Sequence, residues 1–240
     1  MFKKYWKFFV IFWSVVLVGI IGVFVFFWLI SAGKLGFMPT FEELENPNNR
    51  FASEVYFADG PIMNRYFEKE NRKYIEYREI PQSVIDALIA TEDVRFYDHS
   101  GVDVRGLFRV AKGLLTANTS AGGGSTISQQ LAKMLFPRES DLNVFELAIR
   151  KFREWVIAVR LEKSYTKEEI LTMYLNKYDF LNLAVGISSA ADIYFQVPLD
   201  SLKVEQAAML IGMAKNSSYY NPVRRPELTL NRRNVVLSQM

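Results

Sequence analysis

Between Phe8 and Ile30 the chain reads FFVIFWSVVLVGIIGVFVFFWLI, with no charged residue. No other feature limits the fold so severely. As an α-helix rising about 1.5 Å per residue, the run would span about 34 Å, enough to cross a hydrocarbon core of about 30 Å. A cleavable signal peptide has an apolar region of only about 7–15 residues. The run is longer than that, and SAG at 31–33 is a poor cleavage site. It is therefore read as an uncleaved anchor rather than the core helix of a soluble domain. Lys3, Lys4 and Lys7 precede it, whereas Lys34, Glu42, Glu43 and Glu45 follow. That bias predicts a cytoplasmic tail at 1–7 and places everything after the anchor on the outer side.

The rest of the chain divides into a polar connector at 31–51 and a domain at 52–240. The net charge of +3 is too small to argue for nucleic acid. With no cysteine and a single histidine, a disulfide framework and a thiolate metal site are excluded, and the composition argues against a zinc centre. Two short aromatic and β-branched runs flank Asp59-Gly60 and predict a small hairpin. From Pro81 onward helical periodicity dominates, with helices expected near 83–92, 103–116, 126–136, 141–163, 167–176, 185–195, 203–215 and 225–240. The class is mainly α. The helix at 103–116 sets Val104, Leu107, Phe108, Ala111, Leu114 and Leu115 against Arg105, Arg109 and Lys112. Its apolar side suits either a domain core or a membrane interface.

Three stretches could carry chemistry. ATEDVRFYDHSG, 90–101, ends an apolar helix on Glu92 and Asp93 and follows them with Phe96, Tyr97 and His99. A carboxylate held against apolar groups is a candidate general acid or base, whereas His99 in its turn reads as structural. GGGSTISQQLAK, 122–133, runs a small-residue loop (116–124) into a helix start. Thr126 and Gln129 form a capping-box pattern, and Gln129 and Lys133 share a face. Free N–H groups at that terminus suit a diphosphate or a sugar. IRKFREWVIAVRLEK, 149–163, predicts a buried stripe of Ile149, Phe152, Val156 and Val159. Glu154 lies off that stripe, one turn from Arg150 and Lys151, cations that favour its ionised form. A fourth stretch, YTKEEILTMYLNKY, 165–178, reads as architecture, with Thr166 and Glu169 as a capping box and Asn176 suited to the C-terminal cap.

Taken together and in order, ATEDVRFYDHSG, GGGSTISQQLAK, RKFRE, KEEILTMYLN and RRNVVL (232–237) resemble the five motifs of the peptidoglycan glycosyltransferases, glycosyltransferase family 51. The resemblance covers roughly 52–240. It implies a lysozyme-like, α-helical domain at the outer face of the bacterial cytoplasmic (inner) membrane, polymerising lipid II into β-1,4-linked glycan strands with inversion and release of undecaprenyl diphosphate. Glu92 matches the general base. Glu154 matches the motif glutamate that assists at the diphosphate, directly or through a divalent cation, Mg2+ or Mn2+. Ser125, Thr126, Gln129, Gln130, Lys133, Arg150 and Lys151 would line the donor and diphosphate region. The implied partners are lipid II, the growing strand, membrane lipid and other cell-wall synthesis proteins.

Two features depart from the pattern. Many relatives carry a glycine-rich stretch after YLN, where this chain reads KYDFLNLAVGISSAA. The chain also ends at Met240, where relatives often continue into a penicillin-binding transpeptidase domain, so a truncated bifunctional protein is expected, with a monofunctional enzyme as the alternative. Two rival readings remain. A lytic enzyme cleaving glycan would need one acid and no cationic helix, and a non-catalytic scaffold would need no paired glutamates beside a glycine-rich helix start.

Overall fold

The computed structural model describes residues 2–40, 53–56, 62–66, 71–116, 123–135 and 143–240. Helix α1, Phe2–Ser31, contains the whole charge-free run. It is the one helix among the described residues long and apolar enough to cross a membrane, which fits a single-pass membrane protein. A helix bonds all its own backbone polar groups, so it is the form such a segment can take in lipid. Strands β1, Ser53–Tyr56, and β2, Ile62–Tyr66, pair antiparallel as expected, from Ser53 opposite Tyr66 to Tyr56 opposite Ile62. The Asp59-Gly60 turn lies outside the described residues, as do most of the 116–124 loop and most of the connector.

The remaining helices fall close to their expected places. They are α2 (Gln82–Glu92), α3 (Val104–Leu115), α4 (Ile127–Leu135), α5 (Val144–Ser164), α6 (Lys167–Lys177), α7 (Ile187–Phe195), α8 (Val204–Met213) and α9 (Pro226–Gln239). The capping box of α6 forms: Thr166 Oγ1 accepts from the Glu169 N–H and Glu169 Oε2 accepts from the Thr166 N–H. The helix expected from 185 begins instead at Ile187. Residues Ala184–Val185 form β4, which pairs in parallel with β3, Asn71–Arg72. Gly186, at φ +85°, makes the turn between strand and helix, a conformation cheap only for glycine. Asn176 is not a C-terminal cap. It lies inside α6 with its amide donating to Ile75 O and accepting from Ile75 N, so a buried side chain serves as a strand-like partner.

Helix α4 sits between α5 and α6, and α2 packs under α8 and α9. Leu88, Leu131, Ile170, Leu171, Leu175 and Ile211 are fully buried at the centre. Burial corrects the expected stripe of α5. Ile149, Phe152, Val156 and Val159 are only half-buried, and the buried face carries Arg153, Glu154, Ile157, Ala158 and Leu161. The helix has two apolar sides because it has two neighbours. Phe152 turns to α1, with its ring 5.4 Å from Phe26 and 5.7 Å from Phe27. Arg160 donates to Ser31 O at 2.8 Å and to Pro39 O at 3.0 Å, fastening the end of α1 to the same helix.

Candidate active site

Glu92 closes α2, and the turn after it is built around Asp93. The Asp93 carboxylate accepts from the Ile127 N–H in the first turn of α4 and lies 3.0 Å from His99 Nε2. The Gly101 N–H donates to His99 Nδ1. A ring nitrogen that accepts carries no proton, so the proton sits on Nε2 and is donated to Asp93. His99 and Asp93 therefore shape the turn. Gly101, at φ +93°, lies so close to α5 that a Cβ there would stand 2.7 Å from the Ala158 carbonyl carbon. Its own carbonyl accepts from Thr126 Oγ1 at 2.7 Å and Gln129 Nε2 at 3.2 Å.

Those bonds alter the expected cap of α4. Thr126 Oγ1 does accept from the Gln129 N–H. The Gln129 side chain, fully buried, turns to Gly101 rather than back to the Thr126 backbone. Only half of the capping box exists, because the motif glutamine is used to join α4 to the Gly101 turn.

Glu92 itself is nearly buried, with 12% of its side chain exposed. Gln130 Nε2 donates to its Oε2 at 2.9 Å, and Arg232 Nη2 of α9 stands 3.4 Å from its Oε1. Gln130 Oε1 in turn accepts from the Tyr174 hydroxyl at 3.0 Å. Glu92 lines a cavity of about 290 Å³ together with Thr91, Arg95, Arg109, Gly124, Ser125 and Thr126. The buried hydroxyl of Thr91 has no partner among the described residues.

The second glutamate joins this wall through a lysine. Lys151 Nζ donates to Ser125 Oγ at 2.8 Å and to Glu154 Oε2 at 2.9 Å. Ser125, Lys151 and Glu154 are thus brought together across α4 and α5, and Ser125 also borders the Glu92 cavity. Arg150 and Lys133 are half-buried on the same two helices. No group of three His, Cys, Asp or Glu side chains that could cage a metal occurs among the described residues.

Electrostatics follow the packing. Burial pushes the Tyr174 hydroxyl well above its usual pKa, and the charge of Glu92 and the neighbouring Tyr178 add to the effect. Burial likewise pushes Tyr178 up to about 12, with Glu92 and Asp179 contributing and the Ser217 hydroxyl opposing. Asp103 is partly buried, which would raise its carboxyl. The Arg95 guanidinium and the Gly106 N–H outweigh that and hold it below the ordinary value. Sequence reasoning left Arg95, Asp103 and Tyr174 without a part at this site, gave Arg109 only a place on a basic helix face, and assigned Arg232 no role. The signals for Tyr174 and Arg232 were their places within KEEILTMYLN and RRNVVL.

The family model described as Transglycosylase matches residues 59–240. Penicillin-binding protein 1A of Escherichia coli (strain K12) is 38% identical over 203 residues, covering 85% of this chain and 23% of the relative. Penicillin-binding protein 1A of Pseudomonas aeruginosa is 37% identical over 203 residues, covering 85% of this chain and 24% of the relative. The chain thus spans about a quarter of the length of the curated relatives it matches. A crystal structure of penicillin-binding protein 1A from Haemophilus influenzae aligns with 80% of this chain and 18% of its own, at a TM-score of 0.42 and 22% identity.

Proposed function

The chain belongs to the transglycosylase family, the peptidoglycan glycosyltransferases of cell-wall synthesis, and on that premise we propose that it polymerises lipid II into glycan strands. Glu92 takes the proton from the 4-hydroxyl of the acceptor sugar. That oxygen bonds to the anomeric carbon of the lipid-linked chain from the face opposite the diphosphate. The anomeric C–O bond breaks, configuration inverts, and undecaprenyl diphosphate leaves with the bonding pair. A positioned base contributes about 10²–10⁴-fold to such a step.

The observation that carries this reading is the cavity in which a nearly buried carboxylate shares a wall with a serine tied to a lysine. Lys151, Arg150 and Lys133 supply positive charge where a diphosphate must be balanced as its bond breaks. Ser125 offers it a hydroxyl. Thr126, Gln129 and Gln130 support that wall from within, their side chains being bonded to Gly101 and Glu92. Glu154 is a single carboxylate ligand, so a divalent cation fits only as an ion shared with the diphosphate, whose oxygens would fill most of its shell. Bound there, it would neutralise diphosphate charge.

Lipid contact follows from two features. The anchor is fastened to α5, the helix that carries Glu154. On α3, Val104, Phe108 and Leu115 stay exposed beside Arg105, Arg109 and Lys112, the composition of a helix lying in an anionic interface. With residues 1–7 cytoplasmic, the domain would work on the outer face of the inner membrane.

The test is a glycan gel with labelled lipid II, a divalent cation and purified protein in detergent. Wild type is expected to give a lysozyme-sensitive ladder and Glu92→Gln none. Equal ladders from both would remove Glu92 as the base.

A further inference from the structure

The Gln130 amide and the Arg232 guanidinium approach the Glu92 carboxylate, and two tyrosines stand behind the amide. Tyr174 is fully buried on α6, stacked on Tyr178 with ring centroids 5.8 Å apart. Its hydroxyl donates to Gln130 Oε1, and Gln130 Nε2 donates to Glu92 Oε2. An amide can rotate by half a turn and present its oxygen where its nitrogen stood. Against a carboxylate that turned state sets oxygen against oxygen, with no proton between. A hydroxyl that donates to Oε1 favours the orientation in which NH2 faces Glu92.

We propose that Tyr174 is a positioning residue for the transfer reaction, fixing the Gln130 amide so that Glu92 is held as an oriented carboxylate before substrate binds. The inference rests on Glu92 being the base. Arg232 completes the arrangement from α9. Its Nε lies 3.4 Å from Gly212 O, and its Nη2 faces the second carboxylate oxygen. Each Glu92 oxygen therefore has a donor from a different element. The acceptor hydroxyl must then be met by a remaining lone pair on the cavity side, a geometry that a freely rotating carboxylate would seldom present. Because Tyr174 sits well above its usual pKa, it keeps its proton and remains a donor throughout the working range. Other charged groups near Glu92 are Asp93 on its own turn and Arg95, Asp103 and Arg109 in the cavity wall, and Tyr174 of α6 and Tyr178 at its C-terminal cap feel its charge.

Tyr174→Phe keeps the ring and removes the donor. In lipid II polymerisation, kcat should fall about tenfold with KM changed less than about threefold. The acid limb of the kcat/KM profile should move up, because an amide no longer fixed as a donor stabilises the ionised carboxylate less. Gln130→Met should move the limb in the same direction, and the double variant should be no worse than the poorer single, since both remove one connected unit. Should Tyr174→Phe fail to fold by circular dichroism, Gln130→Met alone decides the matter by its acid limb. Additive losses in the double variant, or an unmoved acid limb in a folded variant, overturn the proposal. Glu92→Gln run alongside separates the two failures. If it retains activity, the base assignment itself is wrong. If it is inactive while the acid limb stays fixed in the tyrosine variant, only the role of Tyr174 is lost.

Discussion

Helices α3 and α4 are close neighbours in sequence, and both are amphipathic, yet their apolar faces meet opposite fates. On α4, Ile127 and Leu131 are 0% exposed, sealed between α5 and α6. On α3, Phe108 is 73% and Leu115 89% exposed. Only its thinner side, with Gly106 and Gly113, is buried. Periodicity states that a face must be covered, but it does not name the cover. For α4 the cover is protein, and its polar residues are drawn into the hydrogen-bonded wall around Glu92. For α3 no protein among the described residues covers the face, and the cover proposed above is lipid.

Leu131→Ala strikes at the buried half of this contrast and should have the largest effect on stability. A cavity left between three helices costs about 2–5 kcal/mol, read as a lowered midpoint in denaturant titration in detergent. A loss under about 1 kcal/mol would mean that α4 is less tightly enclosed than α3 is open.

Asp103 holds α3 to the turn that follows α2, capping the helix through the Gly106 N–H and pairing with Arg95. Asp103→Ala should cost about 1–2 kcal/mol. The sign of its pH dependence is set by the lowered carboxyl. The unfolded chain binds that proton more readily than the folded one, so the ionic part of the contribution is present above the ordinary value of 3.8 and fades as pH falls below it. Stability of wild type and variant should therefore converge partly on acidification and stay parallel near neutrality.

Phe108→Ser should matter least to stability, within about 0.5 kcal/mol, because the ring is already exposed. Its effect should appear only in lipid. Since the chain has no cysteine, Leu115→Cys gives a unique labelling site. In proteoliposomes that label should be quenched by lipid-borne nitroxides, and less so once Phe108 is serine. Equal quenching in aqueous and lipid phases would leave the exposed face of α3 without the proposed cover.

Much of this was readable from residue pattern alone. The anchor, the hairpin strands and helix limits to within a few residues followed from charge-free length, alternation and caps, which are local properties. The side of α5 that enters the core did not follow, because Phe152 and Ile157 satisfy the same helical period and only the placement of α1 decides between them. The departure after YLN has a local backbone explanation visible only in three dimensions. Leu181, Asn182 and Leu183 all have positive φ, at 64°, 51° and 69°. Glycine adopts that conformation cheaply, and here it is held by Asp179 Oδ1 on the Leu181 N–H and by Asn182 on the Tyr194 hydroxyl.

The site divides in the same way. Sequence by itself determined a helix long and apolar enough to cross a membrane, a mainly helical domain, Glu92 at the end of an apolar helix and Glu154 with its nearby cations, because each depends on residues within a few turns of one another. Tertiary structure decided that Lys151 joins Ser125 to Glu154, that Gln129 faces inward, and that Tyr174 and Arg232 converge on Glu92. Those contacts join residues 26 to 140 positions apart. A hydrogen bond across such a separation is fixed by how the helices pack, and no local periodicity encodes it.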